Sequence, residues 1–162
     1  MFIALSYNCT HGQVRNNLSA TEYNAIKVNS NNWKQISNTK GNNLQMNTFF
    51  GNTFVTKITS DPNLTKELWD DNMGIYFRFE DGSDTGNDYT LVNFEITNNN
   101  SNLTINNKTI TIGSNISVLG NVQINASSSD IVFGTETTDD VLMIKFNPST
   151  NLITNIEYTF FN

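Results

Sequence analysis

Oxygen-bearing side chains are most concentrated at residues 81–88, which read Asp-Gly-Ser-Asp-Thr-Gly-Asn-Asp. Carboxylate, hydroxyl and amide oxygens are the hard ligands that calcium takes, and the glycines would let the chain wrap around an ion. The segment has no acidic residue at the twelfth position of an EF-hand loop. A solvated hairpin loop accounts for the same composition, so we predict neither metal-binding nor cofactor-binding residues in this chain.

A carboxylate pair is the second feature with chemical potential, because glycoside hydrolysis uses two carboxylates that flank one bond. Glu80 and Glu95 lie in two segments with strand-like alternation. If those segments form a hairpin, Glu80 falls opposite Tyr89, and Glu95 lies near Gly74 at the other end. Both carboxylates would then sit on the polar face, at a separation that is wrong for joint action, so neither is predicted to be catalytic.

Nucleophilic and acid–base groups are sparse. Cys9 is the single cysteine and His11 is the single histidine. With one histidine, most arrangements of general acid and base that use histidine are excluded. Cys9, with no catalytic loop around it, is interpreted as a free cysteine. We therefore predict that the protein is not an enzyme. The absence of an intrachain disulfide fits a reducing compartment, or a particle assembled in one.

Aromatic residues suggest a binding role instead. Trp33, Trp69, Tyr76 and Tyr89 could form a platform on which a sugar stacks. Isolated Trp and Tyr residues of a β domain more often pack in its core or at its rim. The platform defines one alternative function, that of a carbohydrate-binding β-sandwich module.

Apolar periodicity and capping residues predict the elements that must position these side chains. A capping-box pattern at Ser19 and Glu22 precedes a predicted helix at residues 20–27, although residues 23–28 could equally be a strand. Asp61-Pro62 would begin a second helix over residues 62–69. The predicted strands are residues 2–7, 33–36, 44–50, 53–59, 75–80, 89–97, 141–146 and 153–161, with Gly51-Asn52 as the turn of the first hairpin.

Asparagine is unusually frequent, with 29 residues in 162. Asn closes tight turns and tolerates left-handed backbone. Residues 98–134 alternate Asn-rich turns with apolar doublets, which predicts a meander of very short strands. The doublets are Leu103/Ile105, Ile110/Ile112, Ile116/Val118, Val122/Ile124 and Ile131/Phe133. Such strands are near the lower length limit, so they hold only if stacked on one another or on neighbouring subunits.

These patterns predict a mostly β fold. The alternation and the frequent turns indicate an antiparallel β-sandwich, jelly-roll-like or immunoglobulin-like, with one or two short helices and the short-strand meander. Since no linker-like stretch divides the chain, residues 1–162 are predicted to form a single domain.

Charge and hydropathy exclude two classes of partner. The formal net charge is −6, and no run of basic residues is present to contact phosphates. The same charge disfavours docking on anionic membranes. The longest apolar stretch, residues 1–5, is too short for a transmembrane helix or a signal-peptide core. We therefore expect no nucleic-acid partner, no membrane association and no N-terminal signal peptide.

Two passages of the Asn-rich tract resemble a known class of protein. Residues 103–112 read Leu-Thr-Ile-Asn-Asn-Lys-Thr-Ile-Thr-Ile, and residues 116–125 read Ile-Ser-Val-Leu-Gly-Asn-Val-Gln-Ile-Asn. Their rhythm of apolar doublet and polar turn resembles shaft or rim segments of viral fibre and decoration proteins. The resemblance implies a non-enzymatic subunit held in a symmetric, often trimeric, assembly. Fibre shafts repeat the unit many more times, which favours a compact capsid decoration or head-fibre subunit.

This interpretation carries expectations about partners and location. The partners would be further copies of the chain, together with the major capsid protein or other virion proteins. The amide- and hydroxyl-rich surface could also meet host glycans by hydrogen bonding. The location would be the virion, assembled in the host cytoplasm. The alternatives are the carbohydrate-binding module and a small β-barrel whose Phe-rich strands line an apolar ligand.

Overall fold

The computed structural model of the chain describes residues 14–57, 64–83, 85–136 and 139–160. This part is mostly β, with two sheets and three short α-helices, which confirms the predicted class. The elements in chain order are β1 (Arg15–Asn17), α1 (Ala20–Asn24), β2 (Lys27–Val28), β3 (Asn31–Asn32), α2 (Trp33–Asn38), α3 (Asn43–Phe50), β4 (Val55–Lys57), β5 (Thr65–Asp70), β6 (Ile75–Asp81), β7 (Tyr89–Ile96), β8 (Asn102–Ile105), β9 (Lys108–Thr111), a 3₁₀ helix (Ile116–Leu119), β10 (Asp130–Gly134), β11 (Val141–Asn147) and β12 (Leu152–Thr159).

Eight strands form the larger sheet, in the order β1-β10-β11-β12-β7-β6-β5-β4. Strand β1 runs parallel to β10, and all other neighbours in this sheet are antiparallel. Alternation along β6 gives the sheet two different faces, because Phe77 and Phe79 are buried whereas Tyr76 and Arg78 are half-buried. We call the face of Phe77 the inner face and the face of Tyr76 the outer face.

The inner face is covered by the helices. Tyr23 of α1 and Trp33 of α2 both lie against Tyr158 of β12. Further along the sheet, Phe50 of α3 lies against Phe77 of β6, with ring centroids 5.3 Å apart. Burying a side chain of this size contributes about 1.5–3 kcal/mol. These aromatic contacts therefore hold the short helices on the sheet, since helices of this length are marginal alone.

The region predicted as the first hairpin begins with a helix. Asn42 accepts a hydrogen bond from the backbone N–H of Gln45 over 3.0 Å and so caps α3 at its N-terminus. Gly51 ends the helix in the left-handed conformation, with φ 68°. The strand predicted over residues 44–50 and the turn at Gly51-Asn52 are therefore wrong. Of the partner strand predicted over residues 53–59, the described part contains β4.

Asn also caps the helix that replaces the strand predicted over residues 33–36. Asn32 and Gln35 form a capping box at the start of α2, which makes that prediction wrong. The capping box predicted from Ser19 and Glu22 is confirmed, and the helix it starts is α1, which ends at Asn24. Strands were predicted in place of α2 and α3, whose N-caps are Asn32 and Asn42, because Asn was interpreted as a turn residue.

The helix predicted over residues 62–69 is wrong in its described part, which is strand β5. Residues 58–63, with the predicted cap, lie outside the described residues. Leu68 faces Phe77 on the inner side and Trp69 faces Tyr76 on the outer side. The spacing that suggested one helical face is thus split between two sheet faces. A six-residue ladder with β6 outweighs the weak local helix preference.

The hairpin predicted from residues 75–80 and 89–97 is confirmed as β6 with β7. The predicted strands 141–146 and 153–161 also pair as a hairpin, β11 with β12. The strand predicted over residues 2–7 lies outside the described residues. Within the described part, none of the helices has the length and apolar character that a membrane crossing needs.

The Asn-rich tract is a meander only in part. Strands β8 and β9 form a hairpin that joins β2 and β3 in the smaller sheet, ordered β3-β2-β8-β9. Its turn, Asn106-Asn107, has φ of 49° and 60°, the left-handed pair that a two-residue hairpin needs. The last doublet, Ile131/Phe133, lies in β10 as predicted.

Two doublets of this tract are not strands. Ile116/Val118 lies in the 3₁₀ helix, and Val122/Ile124 lies between elements. Asn115 caps the 3₁₀ helix by accepting a hydrogen bond from the backbone N–H of Ser117 over 3.0 Å. The apolar i, i+2 spacing was therefore misleading, because a capped turn can bury Ile116 as well as a strand can.

Candidate functional site

The acidic loop at residues 81–88 is organised around the carboxylate of Asp81. Its Oδ1 accepts hydrogen bonds from the N–H and the hydroxyl of Ser83, over 2.8 and 2.6 Å, and its Oδ2 accepts one from the N–H of Asn87 over 3.0 Å. The Ser83 hydroxyl bond, with backbone N–H bonds from Ser83, Gly86 and Asn87, lowers the pKa of Asp81 to about 2. The Asp81 carboxylate therefore stabilises the conformation of its own loop.

The other described carboxylate of this loop is also engaged. Asp88 forms an exposed ion pair with Lys40 over 3.1 Å. Asp84 lies outside the described residues. Among the residues that the structure describes, no three His, Cys, Asp or Glu side chains come together as a group that could hold a metal ion. Cys9, interpreted as a free cysteine, and the single histidine, His11, lie outside that part of the chain.

Glu80 and Glu95 both lie on the outer face, but the structure does not bring them together. Glu80 is opposite Thr90 and Glu95 is opposite Tyr76, instead of the predicted Tyr89 and Gly74. The register differs because of the length of the turn and a bulge at Val92 of β7, which has no partner in β6 between the pairs Phe79–Leu91 and Arg78–Asn93. Their pairing positions are four residues apart along β6, or about 13 Å at the rise of a strand. Glu80 also pairs with Arg78 over 2.6 Å.

A different carboxylate pair does form on the outer face. Glu95 of β7 lies directly opposite Glu157 of β12. Like charges in this position are destabilising unless they find partners. Asn155 donates from Nδ2 to Glu95 Oε1 over 2.5 Å, and Lys145 Nζ lies 3.5 Å from Glu157 Oε2. The sequence could not reveal this pair, because the contact between β7 and β12 is a matter of strand order.

The four aromatic residues considered as a sugar platform are divided between the core and the outer face. Trp33 is buried and its indole N–H donates to the carbonyl of Tyr23 over 2.9 Å. Tyr89 is buried, with the Lys66 ammonium 3.5 Å from its ring centroid. Trp69 and Tyr76 are in ring contact on the outer face, whereas Trp33 and Tyr89 are buried, so a four-residue platform does not form.

Trp69 and Tyr76 lie side by side on the outer face, with ring centroids 4.2 Å apart. Tyr76 donates its hydroxyl hydrogen to Glu67 Oε1 over 3.1 Å. Burial, followed by the charge of Glu67, raises the pKa of Tyr76. The ammonium of Lys57 lies 3.5 Å from the centroid of the Trp69 ring. The pair is therefore an aromatic patch with a lysine over one side.

Three buried polar atoms of the outer face have no hydrogen-bond partner within the described part of the chain. They are Trp69 Nε1, Arg78 Nε and Asn155 Oδ1. Leaving such groups unpaired costs about 1–3 kcal/mol each. The other buried side-chain atoms of the described residues without a partner are Asn43 Oδ1, Asp130 Oδ1 and Asp140 Oδ1.

A second polar cluster is buried under α1. The Tyr23 hydroxyl hydrogen-bonds Asp140 Oδ2 over 2.5 Å and also the hydroxyl of Tyr158. All three side chains are almost inaccessible, and Asp140 is 1% exposed. Burial raises the pKa of both tyrosines, and the hydrogen bond to Asp140 adds to the effect at Tyr23. This cluster ties α1 to β12 and to the residue before β11.

No protein-family model, no curated protein and no solved structure matches the chain. Within the described residues, the outer face of the larger sheet combines half-exposed charged, aromatic and amide side chains, and it is the candidate functional site.

Proposed function

We propose that this chain is a non-enzymatic structural protein of a phage or virus particle, of the capsid-decoration or head-fibre type. It binds the shell through the outer face of its larger sheet. The observation that carries the proposal is the composition of that face. Partly buried residues of both charges lie there, among them Glu67, Arg78, Glu95, Lys145 and Glu157.

The size of this face favours repeated, weak contacts. From β11 to β4 it is six strands wide, about 24 Å, and five residues along the strands span about 17 Å, which gives roughly 400 Å² in projection. A standard interface takes about 800 Å² from each partner. One copy would therefore hold weakly, whereas many copies on a regular shell gain by multivalency.

Much of the described polar chemistry supports a scaffold role. The Glu22 carboxylate accepts hydrogen bonds from the backbone and side chain of Ser19, and Asp81 organises its own loop. Asn32, Asn42 and Asn115 cap helices. These groups hold backbone in place, which suits a subunit that contributes surface and not a reaction.

The proposal includes a symmetric homo-oligomer, of which a trimer is the form that the resemblance implies, in contact with the major capsid protein. It also includes a sandwich of jelly-roll-like or immunoglobulin-like type, with which the two sheets are compatible. A subunit that binds only the assembled shell stabilises it by mass action.

Density-gradient fractionation of particles from the source culture tests the proposal. We expect the chain to band with assembled particles at a fixed copy number per major capsid protein. A chain that stays at the top of the gradient as a stable monomer, with no affinity for particles added back, would refute the structural role.

Variants test whether the outer face makes the contact. Arg78→Glu on the outer face should release the chain from particles at a salt concentration that the unchanged chain tolerates. Lys34→Glu is the matched control, because Lys34 is exposed on α2, away from this face. Equal retention of both variants would show that another surface makes the contact.

A further inference from the structure

We propose that the outer face contains a binding site for a neutral saccharide, built from the aromatic pair Trp69–Tyr76 and the carboxylate pair Glu95–Glu157. This inference rests on the proposed subunit role and names a ligand class for the same face. Because the four residues lie within the face proposed for the shell contact, the sugar is bound by a subunit whose outer face is free of the shell. We call these four residues the outer-face row.

The register of the strands places the four residues side by side. Trp69 of β5 is opposite Tyr76 of β6, Tyr76 is opposite Glu95 of β7, and Glu95 is opposite Glu157 of β12. Strands lie about 4.8 Å apart, so the row spans about 14 Å from end to end. This length accommodates a short oligosaccharide lying across the strands.

The aromatic pair of the row suits the C–H face of a sugar, and the carboxylate pair suits its hydroxyl groups. Aromatic rings such as Trp69 and Tyr76 offer large apolar surface for the C–H face of a pyranose. Carboxylates accept charge-assisted hydrogen bonds, which are about twice as strong as neutral ones, from hydroxyl donors. Glu95 and Glu157 would use sugar hydroxyls in this way.

The carboxylate pair is incompletely satisfied by the protein. Asn155 donates one hydrogen bond to Glu95 Oε1, and Lys145 forms an ion pair with Glu157 Oε2 at 3.5 Å, so each carboxylate has one partner among these contacts. Asn155 Oδ1 is buried and has no partner within the described residues. Hydroxyl donors from a ligand would relieve the repulsion between two directly opposed carboxylates.

Charge restricts the ligand to neutral saccharides. Two adjacent carboxylates would repel a sulfated or carboxylated sugar, and the chain as a whole carries a formal charge of −6. A hydroxyl-rich neutral sugar has donors for the carboxylates and brings no opposing charge.

Lys57 is the obstacle on the aromatic side, since its ammonium lies over the Trp69 ring. Lys57 is exposed, and a cation–π contact at an exposed site contributes only about 0.5–1 kcal/mol. A sugar that stacks on the ring would therefore displace the lysine at small cost. Lys57 acts as a removable cover of the row.

A panel of neutral and anionic oligosaccharides on an array, followed by calorimetric titration of the best neutral one, tests the site. We expect binding of neutral members only. Trp69→Ala should weaken it about tenfold or more, and Lys57→Ala should tighten it about two- to fivefold by removing the cover. Phe49→Ala is the control, because Phe49 is an exposed aromatic residue on α3, outside the row.

Glu157→Gln gives an independent reading if Trp69→Ala does not fold, and it should weaken binding of the same sugar. Absence of any neutral ligand on the array would overturn the inference, as would unchanged affinity in both Lys57→Ala and Glu157→Gln. Particle association of the unchanged chain is measured separately. A chain that bands with particles and ignores all sugars refutes this site and leaves the structural role intact.

Discussion

The side-chain amide of Asn125 hydrogen-bonds both polar backbone groups of Val14. The Val14 N–H donates to Asn125 Oδ1 over 2.8 Å, and Asn125 Nδ2 donates to the Val14 carbonyl over 3.0 Å. Asn16 holds the backbone of Gln123 in the same way, over 2.8 and 2.9 Å. Four hydrogen bonds thus tie Val14 and Asn16, at the start of β1, to Gln123 and Asn125. The two asparagine side chains satisfy backbone groups that lie beyond the hydrogen-bond ladder of the sheet.

Asn125→Asp should lower the free energy of unfolding by about 1–3 kcal/mol, because the new carboxylate cannot donate to the Val14 carbonyl. Chemical denaturation at pH 7 measures the change. Asn121→Asp is the matched control, since Asn121 is exposed and lies nearby in the chain. Equal losses of unfolding free energy in the two variants would show that the hydrogen bonds between Asn125 and Val14 do not stabilise the protein.

Removal of the Tyr23 hydroxyl should be more costly than removal of the Tyr158 hydroxyl. Tyr23 hydrogen-bonds both Asp140 and Tyr158, so Tyr23→Phe leaves a buried carboxylate without its donor. We expect a loss of about 1–3 kcal/mol for Tyr23→Phe and about 0.5–1.5 kcal/mol for Tyr158→Phe, measured by denaturant unfolding. The reverse order would contradict the direct bond from Tyr23 to Asp140.

The same cluster predicts how stability depends on alkaline pH. Burial raises the pKa of Tyr23 and of Tyr158 above the value in the unfolded chain, about 10. A raised pKa favours the neutral form in the fold, so this stabilisation is complete below about pH 10 and is lost as the pH rises further. Each tyrosine should contribute a slope of about 1.4 kcal/mol per pH unit there.

Unfolding free energies measured from pH 8 to 11 check this prediction. The decline above pH 10 should be shallower in Tyr23→Phe, since one titrating group has been removed. A decline of the same steepness in this variant would mean that other groups titrate, Tyr76 among them, because burial raises its pKa too.

The fold was predictable where period-2 alternation is long. Ile75, Phe77 and Phe79 alternate with polar residues, and the hairpin they predict is present. Prediction was wrong where few apolar residues give a period, as in α3, whose one fully buried residue is Met46. At α3 the capping residues determine that a helix forms, and Asn is typical both of helix caps and of turns. Strand order is set by long-range contacts, which local patterns do not encode.

The candidate site was predictable only by residue type. Trp69 and Tyr76 were among the aromatic residues considered, but the helix predicted over residues 62–69 would have separated them from one another. Glu95 was considered with the wrong partner, because Glu157 lies 62 positions further along the chain and meets it only through the β7–β12 contact. A carboxylate pair assembled across strands leaves no signature in sequence spacing.

The Asp81 carboxylate predicts how the stability of the protein changes at acidic pH. The hydroxyl of Ser83 and several backbone N–H groups lower the pKa of Asp81 to about 2, against about 3.9 when unfolded. A depressed pKa stabilises the fold above the unfolded value, and that contribution is lost as the pH falls from about 4 towards 2. Thermal midpoints between pH 5 and 2 should therefore fall less steeply in Asp81→Asn than in the unchanged chain.

Calcium should leave the thermal midpoint unchanged, because the Asp81 oxygens are already bonded within the loop. Melting in excess calcium and in chelator makes the comparison. A midpoint that rises with calcium and no longer rises in Asp81→Asn would show that the loop opens to bind the ion.

Gly74 and Gly51 offer a matched test of backbone strain against crowding. Both have positive φ, 59° and 68°, so an alanine at either position costs about 1–2 kcal/mol in backbone strain. A Cβ at Gly51 would meet no atom within 4 Å, whereas one at Gly74 would overlap the side-chain amide of Asn98. Gly74→Ala should therefore destabilise the protein more than Gly51→Ala, as measured by chemical denaturation. Asn98→Ala combined with Gly74→Ala should restore part of the difference, since the overlapping amide is gone, and no recovery in the double variant would place the cost in the backbone alone.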